Sequence, residues 1–186
     1  MTLTTTNIDE LLQKCRQGDD RAKMKVYNQY YRSMYNTALR IVKDPAEAED
    51  IMQDCFLKAF EKLDTFEGTS TFGAWLKKIV INHSIGAYNK NNRFQQVSFG
   101  DHFRHEVEED QGLDLREEEQ NSKVQKILKT MNELKENYRI ILNLHLIEGY
   151  DQEEICDIMQ ITYANCRTTL SRAKESLRQK QYVYEN

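Results

Sequence analysis

The chain has 186 residues, of which 39% are hydrophobic and 30% charged, and its formal net charge is −4. This length allows one ordinary domain or two small ones, and the apolar fraction is sufficient for compact cores. No apolar stretch approaches the ~20 residues of a membrane-spanning helix, and residues 1–6 lack the basic and apolar blocks of a secretion signal. We therefore expect a cytoplasmic protein with no direct membrane insertion.

Four cysteines are spread along the chain without a CxxC pair. They are Cys15, Cys55, Cys156 and Cys166. A reducing compartment disfavours disulfides, so we expect these thiols to be buried as small hydrophobic groups. His102 and His105 have no neighbouring Cys or His that would complete a tetrahedral zinc site. The sequence therefore predicts no metal and no cofactor.

Charge is divided unevenly along the chain, and the net value conceals this. Residues 69–100 contain lysines and an arginine but no acid, whereas acids crowd together in residues 101–119. Basic residues return between 162 and 180, where Glu175 is the only acid. Two basic segments separated by an acidic one favour a nucleic-acid-binding protein with two contact regions.

Helical periodicity recurs along the chain, without sustained strand alternation. A first helix is predicted at 8–17, ending at Gly18, and a longer amphipathic helix follows it. Asp44 and Glu47 predict a capping box at the start of a third helix, with Pro45 at its first position. A loop around residues 66–70 then leads to a fourth helix.

Between residues 94 and 122 the apolar pattern fades and acids dominate. This composition predicts a flexible linker of ~30 residues, whose root-mean-square span of about 30 Å could separate two docking sites. Residues 1–93 and 123–186 are then the two domains. We therefore predict an all-α protein, in which two small helical domains are joined by an acidic flexible linker.

The last fifty residues carry a sharper signal. Asp151 and Glu154 predict a second capping box before a short helix, and Thr162 can cap a following helix that runs to Arg178. A short helix, a tight turn and a basic second helix form a helix-turn-helix, whose second helix enters the major groove of DNA. A basic amphipathic helix alone would more often be a solvated face, so the helix-turn-helix context is what favours DNA contact.

Two separated stretches resemble the extracytoplasmic-function sigma factors of bacterial RNA polymerase. The N-terminal stretch is ALRIVKDPAEAEDIMQD at 38–54, LKAF at 57–60, TFEG at 65–68 and FGAWL at 72–76. The C-terminal stretch is YR at 138–139, IEGY at 147–150, EEI at 153–155 and LSRAK at 170–174. The resemblance covers residues 8–180. It implies a factor that catalyses nothing alone and lends promoter recognition to core RNA polymerase.

The resemblance implies a polymerase-binding surface on the third helix. In the family, the helix that matches residues 44–60 binds a coiled coil of the largest polymerase subunit, and Asp50, Gln53 and Asp54 match its contacting positions. Helical spacing also places these three side chains near the outer face, where acids would suit a basic partner. The residues alone would favour a simpler role for the acids, that of stabilising the helix dipole.

The following segment resembles the region that melts promoter DNA and reads the minus-ten element. Strand opening needs a place for an extruded base and a basic, stacking-capable track for the displaced strand. The candidate contacts are Gly68, Thr69, Ser70, Trp75, Lys77, Lys78, Asn82, Asn89, Lys90 and Arg93. A core aromatic is the alternative role for Trp75, whereas Lys77 and Lys78 have no acid nearby to neutralise them.

The C-terminal domain resembles the reader of the minus-thirty-five element. The matching DNA contacts are Arg167, Thr168, Ser171, Arg172 and Lys174. This sequence departs from the family where Gln160 replaces the usual glycine of the turn, where ANC at 164–166 replaces Gly-Thr-Val, and where Thr169 replaces a basic residue. A positive φ angle at Gln160 would carry an energetic cost. These changes bear on the promoter sequence more than on the fold.

Other interpretations remain for parts of the chain. A free-standing helix-turn-helix regulator would account for the residues after 123 but would leave the N-terminal basic segment without a role. An adaptor or enzyme is disfavoured because the sequence shows no nucleophile–base grouping, phosphate loop or metal cluster. The acidic linker is a plain solvated tether by composition, while the resemblance implies a path through the polymerase cleft. The resemblance also implies an anti-sigma factor as a partner.

Overall fold

The computed structural model describes residues 8–95 and 118–185, and the regular structure in these ranges is helical. The chain divides into two compact units, each considered by itself. The first unit contains α1 (Ile8–Arg16), α2 (Asp20–Val42), α3 (Pro45–Glu61), a 3-10 turn (Leu63–Thr65) and α4 (Phe72–Gln95). The second contains α5 (Glu118–Asn132), α6 (Glu136–Leu142) with a π-helical continuation (Asn143–Ile147), α7 (Gln152–Met159) and α8 (Tyr163–Glu185). Within the described ranges, no helix is long and apolar enough to cross a membrane.

The helix ends of the first unit follow from local chemistry. Gly18 has a φ angle of 84° just after α1, a conformation that costs glycine little. The Asp44 carboxylate accepts a hydrogen bond of 2.8 Å from the Glu47 N–H, and Pro45 occupies the first position of α3. The predicted helix starts and stops at these three residues are therefore confirmed.

The core of the first unit is built around α2, which packs against α1, α3 and α4. Side chains from all four helices are buried there, among them Leu12, Met34, Met52 and Leu76. Each large apolar side chain buried in this way contributes about 1.5–3 kcal/mol relative to an exposed one. The packing fixes the outer faces of α3 and α4, which carry the candidate functional residues.

The second unit is organised around α8, which packs against α5, α6 and α7. Residues 139–144 are buried without interruption, so this part of α6 and its continuation is enclosed on all sides. Met131 and Leu134 are buried near the end of α5, whereas Val124 is 51% and Ile127 is 38% exposed.

Several predicted boundaries and burials differ from the structure. Helix α4 continues to Gln95 and α5 begins at Glu118, so both helices enter the segment 94–122 that was predicted as linker. Helix α6 changes to π-helical geometry at Asn143, and α8 passes Arg178, its predicted end, and reaches Glu185. Cys156 is only half-buried, unlike the other three cysteines. The remaining predicted linker, at 96–117, lies outside the described residues, together with His102 and His105.

Candidate nucleic-acid interface

The loop before α4 is anchored at both ends and exposed between them. At its start, the Phe66 ring packs against Phe72 and Trp75, with centroid distances of 5.8 and 5.4 Å. At its end, the Thr71 hydroxyl accepts a hydrogen bond of 3.3 Å from the Ala74 N–H and caps α4. Residues 67–70 are exposed. The candidate residues Gly68, Thr69 and Ser70 therefore lie on an accessible tip.

Trp75 belongs to this aromatic cluster and is half-buried. Its ring lies 5.7 Å from that of Phe72 as well as against Phe66. The structure thus gives Trp75 the packing role that was the alternative in the sequence, and part of its surface remains accessible. A DNA contact by this side chain stays a prediction.

The candidate residues of α4 follow the loop along the helix. Lys78, Asn82 and Asn89 are exposed and fall at spacings of four and seven, so they share one face. Lys90 is also exposed but lies about a third of a turn from that face, and Lys77 is half-buried. The side chain of Arg93 lies outside the described residues. The loop tip and the face of α4 thus form a polar and basic track.

The outer face of α3 carries the three candidate polymerase contacts. Asp50, Gln53 and Asp54 are all exposed, and the Gln53 amide donates a hydrogen bond of 3.1 Å to the Glu49 carboxylate. Leu57, one turn further along α3, is 63% exposed. The sequence prediction did not single out Leu57 as a contact, although Leu57 follows Gln53 by four residues and so falls on the same face of the helix.

A cysteine and a histidine meet behind this face, between α3 and α4. Cys55 Sγ lies 3.4 Å from His83 Nδ1, and Lys58 Nζ lies 3.4 Å from the same nitrogen. Burial raises the pKa of the Cys55 thiol to about 12. Burial also lowers the pKa of His83, an effect that Lys58 reinforces and Asp54 opposes. Because burial keeps the thiol protonated, this pair is a packing contact rather than an activated nucleophile.

The helix-turn-helix of the second unit is formed by α7, a tight turn and α8. The predicted capping box is present, since Glu154 N–H donates to Asp151 Oδ1 at 2.9 Å and Asp151 N–H donates to Glu154 Oε2 at 3.0 Å. Gln160 ends α7 with a φ angle of 55° and a ψ angle of 47°. This left-handed conformation costs a non-glycine residue roughly 1–2 kcal/mol. The Thr162 hydroxyl accepts a hydrogen bond of 3.3 Å from Asn165 N–H at the start of α8.

One face of α8 is buried and the opposite face presents the candidate DNA contacts. The buried residues are Cys166, Leu170, Ala173 and Leu177. The exposed candidates are Arg167, Thr168, Ser171 and Arg172. The Thr168 hydroxyl already donates to the Ala164 carbonyl at 2.8 Å, but its oxygen can still accept.

Lys174 differs from the other candidates of α8 because it is half-buried. Its Nζ lies 3.2 Å from His145 Nε2, and His145 Nδ1 lies 3.1 Å from the Tyr150 carbonyl oxygen. A carbonyl oxygen only accepts and an ammonium only donates, so the geometry fits a neutral imidazole protonated on Nδ1. Lys174 therefore links α8 to the π-helical segment, away from the exposed face.

Comparison with known proteins identifies both units. The model for sigma-70 region 2 matches residues 26–94, and the model for sigma-70 region 4 matches residues 124–177. The RNA polymerase sigma-H factor of Pseudomonas aeruginosa is 29% identical over 185 residues, covering 94% of both chains. The ECF RNA polymerase sigma factor SigX of Bacillus subtilis is 25% identical over 155 residues, covering 82% of this chain and 80% of that protein.

A solved structure shares the fold. It is the sigma factor RpoE in complex with the anti-sigma factor NepR from Bartonella quintana, with a TM-score of 0.56 and 24% identity over 86% of this chain and 96% of that one. The two family matches together span about two thirds of the chain, in the order region 2 and then region 4. The chain therefore belongs to the sigma-70 family and is a sigma factor of the extracytoplasmic-function (ECF) group.

Proposed function

We propose that this sigma factor divides the steps of promoter-specific transcription initiation between its two units. The first unit binds core RNA polymerase through α3 and opens DNA with the loop at 67–70 and α4, and the second unit reads the minus-thirty-five element with α8. The observation that carries this assignment is that one chain presents two separate polar and basic helix faces, each on its own compact unit. A regulator that only binds an operator needs just one of them.

The polymerase-binding surface combines charge with an apolar contact. Asp50 and Asp54 lie on the exposed face of α3 and would attract a basic partner, while the exposed Leu57 can bury apolar surface on docking. This combination resembles an interface more closely than a face that serves only the helix dipole, because a dipole role requires no exposed leucine.

Strand opening is assigned to the loop tip and the face of α4. The tip offers small polar side chains and the backbone of Gly68, whose φ angle of 73° is favourable for glycine. The track that continues along Lys78 and Asn82 can bind phosphates and base edges of the displaced strand. A loop tip that is anchored at both ends would hold an extruded base more readily than a mobile one, since less ordering is needed on binding.

Reading of the minus-thirty-five element is assigned to the N-terminal half of α8. Arg167 and Arg172 can donate to guanine edges or phosphates, and Ser171 can donate or accept between them. Gln160 keeps the left-handed turn that usually requires glycine, so the departures from the family at 160, 164 and 165 alter the exposed surface rather than the turn itself, while Cys166 is buried.

Several finer assignments belong to the same proposal. We take residue 95, the last of α4, and residue 118, the first of α5, as the limits of the two domains instead of 93 and 123, and the acidic residues between them as a tether. Sigma factors are in general non-catalytic, and we assign no reaction to this chain. Its work with RNA polymerase would place it in the cytoplasm. The solved relative in complex with an anti-sigma factor supports a protein inhibitor as a further partner.

The deciding experiment is transcription in vitro with core RNA polymerase and a library of candidate promoters. We expect transcripts from a subset of promoters only when core enzyme and the chain are both present, and little binding of duplex DNA by the chain alone. A chain that binds duplex operators unaided but has no affinity for core polymerase would instead be a free-standing helix-turn-helix regulator.

A further inference from the structure

Arg16, the last residue of α1, reaches a turn that lies about fifty residues further along the chain. Its Nη2 donates hydrogen bonds to the carbonyl oxygens of Leu63 at 3.2 Å and Phe66 at 3.3 Å. Its Nε lies 3.6 Å from the exposed carboxylate of Asp64. One guanidinium therefore bridges both ends of the 3-10 turn, and the family match at 26–94 does not include this residue.

These carbonyls define where the exposed loop begins. Leu63 is buried and also accepts a hydrogen bond of 3.2 Å from Phe66 N–H, while the Phe66 ring is packed against Phe72 and Trp75. After Phe66 the chain leaves the core, and it returns at the buried Phe72, just after the exposed Thr71 caps α4. Arg16 thus holds the backbone at the first end of the loop, and the Thr71 cap holds it at the second end.

Arg16 stabilises this turn through its contacts with the two carbonyls rather than through the ion pair. The Asp64 side chain is 87% exposed, and exposed ion pairs contribute little. Nη2 makes both carbonyl contacts, and it belongs to a planar group whose Nε faces Asp64, so its direction is fixed. A lysine ammonium is a compact, freely rotating donor on a shorter side chain and does not reproduce this fixed direction.

We propose that Arg16 is a positioning residue for strand opening: by holding the backbone at Leu63 and Phe66, it preorganises the loop tip at 67–70 to receive an extruded base. The inference rests on the proposed function of the loop. Because the tip is short and fixed at both ends, loosening one end increases the ordering required when a base binds.

The test compares Arg16→Met, which keeps much of the aliphatic stem, with three other variants of the full chain. Arg21→Met removes an exposed arginine from the start of α2, Asp64→Asn removes only the ion pair, and Arg16→Lys keeps the charge without the planar group. Core-polymerase affinity and the rate of promoter opening, read by permanganate reactivity of unpaired thymines, are measured for each. Trp75, the only tryptophan, reports on the loop start through acrylamide quenching of its fluorescence.

We expect Arg16→Met and Arg16→Lys to slow opening on the order of tenfold, the equivalent of one or two net hydrogen bonds, with core affinity unchanged. Quenching of Trp75 should increase in both, while Arg21→Met and Asp64→Asn should match the wild-type chain. If Arg16→Met opens promoters at the wild-type rate and shows wild-type quenching of Trp75, the proposal is wrong. It is also wrong if Arg16→Met loses core binding and promoter opening to the same extent, because that result indicates general unfolding. If the wild-type chain opens no promoter with core enzyme, the proposed function itself fails.

Discussion

Gly73, in the first turn of α4, lies directly against the ring of Tyr30 on α2. A Cβ atom built on Gly73 would be 2.9 Å from Tyr30 Cε1, a distance that real Cβ contacts essentially never show. Tyr30 in turn packs edge-on against Phe72, with ring centroids 5.5 Å apart. The absent side chain at 73 therefore allows α2 to approach the start of α4, where the candidate DNA-opening loop ends.

Replacing Gly73 by alanine should destabilise the first unit. The added methyl group must displace the Tyr30 ring or the helix, and overpacking of this kind costs about 1–3 kcal/mol. Gly86→Ala is the matched control, because Gly86 is exposed on the same helix and a Cβ there would meet nothing within 4 Å. Alanine at 86 should stabilise the helix by about 0.5–1 kcal/mol. Urea unfolding measures the free energy of unfolding of both variants. If the two variants have equal free energies of unfolding, the Tyr30 ring moves aside without cost.

Asp54→Arg should weaken binding to core RNA polymerase by about tenfold or more, because it reverses a charge at the proposed interface. Asp54 is exposed, so the helical circular dichroism of the variant should equal that of the wild-type chain. Glu61→Arg makes the same charge change at the far end of α3 and should have a smaller effect. Affinity for core enzyme can be measured by fluorescence anisotropy. If Asp54→Arg binds as well as the wild type, Asp54 lies outside the interface.

Joint replacement of Lys77 and Lys78 by alanine should slow strand opening more than initial promoter binding. Lys78 is exposed beside the loop and Lys77 is half-buried next to it, so both can reach the displaced strand. The control removes Lys14 and Lys25, exposed lysines on α1 and α2. Permanganate reactivity follows opening, and a gel-shift assay follows initial binding. An equal reduction in both measurements would assign these lysines to general electrostatic attraction.

Much of the fold could be predicted because its signals are local. A helix start is defined locally by a carboxylate that accepts from the backbone N–H three residues later, as at Asp44 and Asp151. A helix end is defined locally by a glycine that follows an amphipathic segment. The π-helical turn at Asn143 and the extension of α8 to Glu185 were not predicted, because no terminator marks either position. The extra turn of α5, at residues 118–122, consists of two glutamates, a glutamine, an asparagine and a serine. The first three favour a helix, but none of the five forms an apolar face that a sequence pattern would show.

The candidate site was predictable only as far as helix periodicity extends. Spacing alone placed Arg167 and Arg172 outside the buried stripe of α8 that contains Leu170, and both are exposed in the structure. The role of Lys174 depends on His145, 29 residues away, and that of Arg16 on carbonyls about fifty residues away. Such partners leave no local pattern, because any residue supplies a backbone carbonyl and the fold alone decides which one is near.

Arg172→Ala should lower affinity for promoters that depend on the upstream element. Loss of an arginine that contacts a base edge costs about 1–3 kcal/mol and relaxes the preference at the contacted position. Arg178→Ala is the matched control, since Arg178 is exposed on the same helix but pairs with Glu175 at 3.6 Å. Holoenzyme binding to matched and scrambled minus-thirty-five elements measures the effect. Equal loss on both sequences would make Arg172 a phosphate contact rather than a base contact.

The stability of the first unit should fall in alkaline solution because of Cys55. Burial raises the pKa of this thiol from 9.0 to about 12, against the opposing effect of Lys58. Between these values the unfolded chain has released the proton and the folded chain retains it, so stability is intact below pH 9 and is lost as the pH rises towards 12. The slope from this group is at most about 1.4 kcal/mol per pH unit. Urea unfolding, followed by Trp75 fluorescence, should show that the free energy of unfolding declines more steeply with alkaline pH for the wild type than for Cys55→Ala. Parallel curves would show that the Cys55 thiol ionises as readily in the folded chain as in the unfolded one.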